Sequence, residues 1–175
     1  MNNNKTKRLV IVALFTALVA VATMAIKVPT INGYIHLGDT MVYLCGIFLG
    51  PIYGAIAAGI GSFLADMLSG YMVWAVPSLL IKALDALAFG LIFKSIVLND
   101  VKGVSLLSRY AFALIIGGSI MVGGYFITGT ILYSFAGAIG SVIPNIVQAI
   151  GGGIIAYPIL LALKKQKNIN KIINK

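Results

Sequence analysis

The stretch GDTMVYLCGIFLGPIYGAIAAGIGSFLADML, residues 38–68, decides how often this chain crosses a membrane. It is apolar throughout and longer than the roughly 20 residues that a transmembrane helix needs. Gly50 and Pro51 interrupt it near the middle. Because the residue before a proline disfavours helical angles, the stretch forms either one long kinked helix or two helices joined by a tight turn.

The composition indicates that the rest of the chain also lies in a membrane. Of its 175 residues, 60% are hydrophobic and 10% are charged, and the mean hydropathy is +1.03. Soluble domains carry about 25% charged residues. Further apolar runs occur at 8–26, 77–97, 110–132 and 141–163. We therefore predict one integral membrane domain, with a polar tail at 1–7, a helix bundle at 8–163 and a basic tail at 164–175.

The positions of the basic residues favour the broken helix. Six spans place both termini and all loop cations except Lys27 on the cytoplasmic side, whereas five spans place most of them outside. The positive-inside rule therefore predicts an all-α bundle of six transmembrane helices. The cations predicted to be cytoplasmic are Lys5, Lys7, Arg8, Lys94, Lys102, Arg109, Lys164, Lys165, Lys167, Lys171 and Lys175.

Several functions are disfavoured by what the sequence lacks. The net charge of +9 sits at segment ends, without the basic stripe of a nucleic-acid reader, so no nucleic-acid partner is expected. Cys45 is the only cysteine and His36 the only histidine, so no metal site is expected. No phosphate-binding loop or hydrolase motif is present. The chain is predicted to be no enzyme, and to bind a substrate while another protein supplies energy.

Polar side chains in the outer halves of the helices indicate where the substrate binds. A charged group deep in a bilayer costs about 2.5–3.5 kcal/mol on insertion scales, so each needs a partner or a role. Together they predict a cavity open to the outside, beneath the extracellular loops. These side chains are Asp39, Asp66, Lys82, Asn145 and Gln148.

Each of these residues also has a purely structural interpretation. Asp39 suits a helix N-cap. Lys82 either faces the cavity or pairs with Asp85 three residues on, and Asp66 is another candidate to neutralise it. Asn145 and Gln148 are spaced to hydrogen-bond across helices.

Aromatic residues surround the predicted cavity. The loops at 32–38, 70–76 and 133–140 are predicted to be extracellular. Their rings, with that of Tyr125, form either the walls of a small-ligand pocket or an interfacial belt. His36 is either a ligand contact or a solvated loop residue. The aromatic residues are Tyr34, Tyr71, Trp74, Tyr125 and Tyr133.

Small residues recur at four-residue spacing on two faces. Gly46, Gly50, Gly54, Ala58 and Ser62 form a series that predicts close packing inside the bundle. Ala13 and Ala17 form a second small-residue face on the first helix, which is a candidate surface for another protein.

Taken together, these motifs resemble the S component of an energy-coupling factor (ECF) vitamin transporter. The resemblance rests on the A-x-x-x-A of the first helix, "YIHLGD" at 34–39, "LADMLSGY" at 64–71, "PSLLIK" at 77–82 and "PNIVQ" at 144–148. It covers most of the chain, from about residue 7 to 163.

The resemblance implies a six-helix, high-affinity vitamin binder in a bacterial cell membrane. It implies partners, namely a transmembrane coupling protein that Ala13 and Ala17 would face and two cytoplasmic ATPases that use ATP. This chain itself would hold no cofactor. The loop at 28–38 would close over the ligand, and the subunit would topple to release it inside.

The same resemblance favours pyridoxine-like or hydroxymethylpyrimidine-like cargo, with riboflavin and pantothenate as alternatives. The predicted contacts are Tyr34, His36, Asp39, Asp66, Trp74, Lys82, Tyr125, Asn145 and Gln148. A self-sufficient channel or carrier, or a small membrane enzyme, is the competing interpretation.

Overall fold

A computed structural model of the chain describes residues 3–30, 33–98 and 105–164. Within these ranges the fold is helical apart from one short hairpin between the first two helices. Five helices are long and apolar enough to cross a membrane. The elements are α1 Asn3–Ala25, β1 Lys27–Pro29, β2 Tyr34–His36, α2 Gly38–Leu68, α3 Met72–Leu98, α4 Leu106–Leu132 and α5 Phe135–Lys164. The predicted basic tail, from residue 165 onward, lies outside the described residues.

Helix α2 consists of two helical segments that meet at a sharp bend in the middle. Gly50 has φ 76° and ψ 178°, a conformation that residues with a Cβ rarely adopt, and Pro51 follows it. A Cβ on Gly54 would lie 2.6 Å from the carbonyl oxygen of Cys45. Nine residues of straight helix would separate those positions by about 13 Å. The structure thus assigns one helix to residues 38–68 where the sequence predicted two, and the non-helical Gly50 divides it at the predicted break.

The core forms where α2 packs against α1, α3 and α5, while α4 packs against α3 and α5. Aromatic and aliphatic side chains fill it. Gly46 permits close contact between α2 and α3, because a Cβ there would lie 2.7 Å from the carbonyl oxygen of Ala86. Ala58 and Ser62 are also buried, as the predicted packing of the small-residue series requires. The main cluster includes Tyr43, Leu44, Phe48, Phe89, Phe93, Tyr110 and Leu160.

Two predicted loops are mostly helical, and this part of the prediction was wrong. Helix α3 begins at Met72, not at Pro77, because a proline near a helix start removes one hydrogen bond without preventing the turn before it. Helix α5 begins at Phe135, not at residue 141, because the Ser134 hydroxyl accepts a hydrogen bond from the Gly137 N–H and caps the helix.

The earlier helix starts place the polar side chains deeper than predicted. Lys82 lies ten residues after the start of α3 and Asn145 ten residues after the start of α5. At about 1.5 Å per residue, each lies about 15 Å along its helix, rather than one or two turns. Such depth makes a partner for each polar group more important.

Candidate functional site

The loop between α1 and α2 forms an antiparallel hairpin. Strand β1 pairs with β2 in the register Lys27 with His36 and Pro29 with Tyr34. The Thr30 N–H donates to the Gly33 carbonyl at 2.8 Å and narrows the connection. The sequence predicted a closing loop here but no strands, since each strand has only three residues. The hairpin carries Tyr34 and His36 to the mouth of a cavity.

The cavity lies between the hairpin and helices α2 to α5. The empty space that it encloses, including space open to solvent, is about 550 Å³. Aromatic rings, hydroxyls and two amides line it, so it combines apolar walls with polar groups that orient a ligand. The described lining residues are Thr30, Gly33, Tyr34, Ile35, His36, Asp66, Tyr71, Trp74, Ser78, Tyr125, Ser141, Pro144, Asn145 and Gln148.

Two hydrogen-bonded pairs and an aromatic cluster shape the walls. The Tyr34 hydroxyl donates to Asp66 Oδ1 at 2.7 Å, and the Ser78 and Tyr125 hydroxyls lie 2.9 Å apart. The indole of Trp74 has its ring centre 5.7 Å from that of Tyr125 and packs edge-on against it. These contacts fix the positions of aromatic rings that line the cavity.

A buried ion pair lies behind the cavity wall. The Lys82 ammonium donates to Asp39, and both side chains are fully buried. The ammonium is 5.3 Å from the ring centre of Tyr125, which itself lines the cavity. Lys82 therefore pairs with Asp39 from the start of α2, and neither Asp85 nor Asp66 is its partner in the structure. Neither Asp39 nor Lys82 is among the described lining residues.

Gln148 joins the hairpin to this ion pair. Its side-chain oxygen accepts from the His36 backbone N–H at 2.9 Å, and its side-chain nitrogen donates to Asp39. One amide on α5 therefore binds both β2 and the start of α2. This arrangement holds the hairpin closed over the cavity.

The two polar rings of the hairpin are both held in their neutral forms. Burial, and then the Asp66 carboxylate, raises the pKa of Tyr34 above its ordinary value, so its phenol stays protonated. Burial lowers the pKa of His36 to about 4, and the Lys82 and Lys27 ammonium groups act in the same direction. His36 Nδ1 accepts from the Gly38 N–H at 3.0 Å, which suits a neutral imidazole.

Asp85 is the buried acid that these contacts leave out. It is fully buried on α3, and neither carboxylate oxygen has a hydrogen-bond partner in the part of the chain that the structure describes. It faces Gly117 of α4, where a Cβ would lie 2.4 Å from its Oδ1. Neither alternative predicted for Lys82, a pairing with Asp85 or a place in the cavity lining, is observed, because Lys82 contacts Asp39 behind the wall.

The structure brings seven of the nine predicted contact residues to one cavity: Tyr34, His36, Asp66, Trp74, Tyr125, Asn145 and Gln148. Sequence reasoning missed Ser78 and Ser141. Helical spacing would have found both, because Ser78 lies four residues from both Trp74 and Lys82, and Ser141 lies four before Asn145.

The chain is thus a bundle of apolar helices with a cavity that lies beneath a hairpin. Its fold is that of two solved S components. One belongs to a bacterial ECF transporter, with a TM-score of 0.68, 22% identity, and 93% of this chain and 99% of that chain covered. The other is the S component for biotin of an ECF-type ABC transporter, with a TM-score of 0.68, 20% identity, and 95% of each chain covered.

Residues 3–165 match the family described as ECF-type riboflavin transporter, S component, and the chain belongs to that family. A Pyrococcus woesei protein of unnamed function is 35% identical over 150 residues, 85% of this chain and 95% of its own. The thiamine precursor transporter HmpT of Lactococcus lactis is 29% identical over 160 residues, 89% of this chain and 87% of its own.

Proposed function

We propose that this chain is the high-affinity substrate-binding subunit of an ECF-type importer in a bacterial cell membrane. It captures a vitamin or vitamin precursor from outside and delivers it by toppling when docked on its partners. The proposed topology has six spans, with the bend at Gly50 separating two of them, and both termini cytoplasmic. In this role the chain is not an enzyme.

One observation supports the proposal most strongly. Residues from the hairpin and from α2, α3, α4 and α5 converge on a single cavity, and Gln148 holds the hairpin over it. A pocket that is closed by a separable hairpin captures ligand in a way that a continuous channel does not. Ligand binding would stabilise the closed form of the hairpin.

The cargo that we favour is a small aromatic heterocycle of the hydroxymethylpyrimidine or pyridoxine type. Trp74 and Tyr125 offer faces for stacking, and Asn145 and Gln148 offer amide groups for ring nitrogens and hydroxyls. The similarity to HmpT, named as a thiamine precursor transporter, supports the same class of cargo. Riboflavin, for which the matching family is named, is the alternative cargo.

The proposed partners are a transmembrane coupling protein and two cytoplasmic ATPases. Ala13 and Ala17 are exposed on α1, one helical turn apart, and form a flat strip on which another helix can pack closely. ATP would be used by the ATPases alone.

Co-purification tests this assembly. We expect the tagged chain to retain the coupling protein and ATPases, and we expect Ala13→Trp or Ala17→Trp to release them while ligand binding persists. Ile115→Trp is the control, because Ile115 is 63% exposed on α4 and places a tryptophan on another surface. Unassisted transport by the chain alone in liposomes would instead support a self-sufficient carrier.

A further inference from the structure

The charges around the cavity are distributed unequally. Asp66 lines the cavity, is only 6% exposed, and carries a carboxylate. The described lining includes no lysine or arginine, and His36 is neutral because its pKa is about 4. A ligand in this cavity therefore meets one buried acid and no lining cation among the residues described.

The nearby ammonium groups are already engaged. Lys82 is fully buried and bonded to Asp39. Lys27, on β1 and outside the lining, donates to Ser69, and its ammonium lies 5.1 Å from the ring centre of Tyr34. Neither cation is free to pair with an anionic group in the cavity without giving up a contact.

Tyr34 sets the orientation of the Asp66 carboxylate. Its hydroxyl donates to Asp66 Oδ1 and orients the carboxylate from the hairpin side. A carboxylate only accepts hydrogen bonds, so the complementary ligand atom is an N–H or O–H donor, and a protonated ring nitrogen or an exocyclic amine fits best. A phosphate or carboxylate on the ligand would meet a like charge at Asp66, whose burial strengthens the repulsion.

We infer that Asp66, oriented by Tyr34, is the specificity-determining residue that selects donor-bearing, uncharged or cationic heteroaromatic rings and rejects their phosphorylated or carboxylated counterparts. This inference rests on the proposed function and narrows its substrate class. It also predicts that any phosphorylation of the cargo follows uptake, because the phosphate ester would be excluded.

Matched ligand pairs test the inference on the detergent-purified chain. The probes are hydroxymethylpyrimidine, pyridoxine, the phosphate monoester of each, and riboflavin, biotin and pantothenate, with affinities from calorimetry. We expect the favoured unphosphorylated ring to bind roughly 100-fold or more tighter than its ester. Asp66→Asn should weaken that ring by roughly 10- to 100-fold, the contribution of a charge-assisted hydrogen bond, and shrink its preference over the ester.

Two further variants separate recognition from folding. Asp66→Glu keeps the charge and should keep the preference. Asp85→Asn removes a buried acid that does not line the cavity, and should leave the preference unchanged. The comparison of wild-type affinities for ring and ester needs no variant, so the inference is testable even if Asp66→Asn fails to fold.

The possible failures are distinguishable. If the ester binds as tightly as the ring, or if folded Asp66→Asn retains both affinity and preference, the inference is wrong and the proposed function stands. If the folded wild-type chain binds no compound of the panel, the proposed function is wrong and the inference falls with it.

Discussion

The buried pair of Lys82 and Asp39 gives the sharpest stability prediction. Both side chains are fully buried, and Asp39 also accepts from Gln148. Lys82→Met keeps the length of the side chain but leaves the Asp39 carboxylate with an amide as its remaining described partner. Removing one member of a buried ion pair costs about 3–5 kcal/mol. For a chain of this size that lowers the melting temperature by about 6–20 °C.

The reciprocal variant should be milder, because Lys82 has a second acid nearby. Asp85 lies three residues further along α3, with neither oxygen bonded among the described residues, and can accept the ammonium when Asp39→Asn removes its partner. We expect Asp39→Asn to be less destabilising than Lys82→Met. The double variant should recover part of the loss, since it leaves no unpaired charge at either position.

Thermal unfolding of the four proteins in one detergent provides the assay, with near-ultraviolet circular dichroism as a check on folding. The thermodynamic cycle isolates the coupling between the two residues. If Lys82→Met lowers the free energy of unfolding by less than about 1 kcal/mol, or if the effects of the two single variants simply add, then the two groups do not form the buried pair described.

Three further predictions follow from particular contacts. Gly46→Ala should destabilise the chain by about 1–3 kcal/mol, because its Cβ would lie 2.7 Å from the Ala86 carbonyl oxygen. Gly123→Ala, whose Cβ would have no neighbour within 4 Å, should be neutral or stabilising, and the melting temperatures of the two variants provide the comparison. Ligand affinity should fall by at most about tenfold per pH unit as the pH drops below about 6.5, and it should level off near pH 4, because the closed hairpin favours neutral His36. His36→Asn should flatten that part of the pH profile, and an unchanged profile would refute the assignment. Gln148→Leu should speed ligand dissociation by at least about tenfold in stopped-flow measurements, because the hairpin loses its bond to α5; an unchanged rate would show that this bond does not hold the hairpin.

Much of the fold was accessible from the sequence because apolar length is a strong signal. Helices α1 and α4 were predicted to within a few residues at their C-terminal ends, and Gly50 with Pro51 marked the bend in α2. The starts of α3 and α5 were missed because polar and aromatic residues near a membrane surface fit a loop and a first helical turn equally well. The hairpin was missed because strands of three residues leave almost no periodic pattern.

The candidate site was predictable as a set of residues but not as a network. Asp66, Asn145 and Gln148 were predicted from their intramembrane setting alone, and all three line the cavity. The sequence does not show which acid Lys82 contacts, because Asp39, Asp66 and Asp85 all lie within reach of a plausible packing. Tertiary packing of α2 against α3 selects Asp39, and this choice removes the one expected cation from the cavity.

The most direct evidence that this chain binds a substrate by itself would be thermal stabilisation of the purified chain, without any partner protein, by a member of a panel of vitamins and precursors. A ligand that binds only the folded state adds about 2.7 kcal/mol of stability at 100 times its dissociation constant. We expect one tight hit among small, uncharged or cationic heteroaromatic rings, weakened in Asn145→Ala. A folded chain that no member of the panel stabilises would contradict the assignment as a substrate-binding subunit.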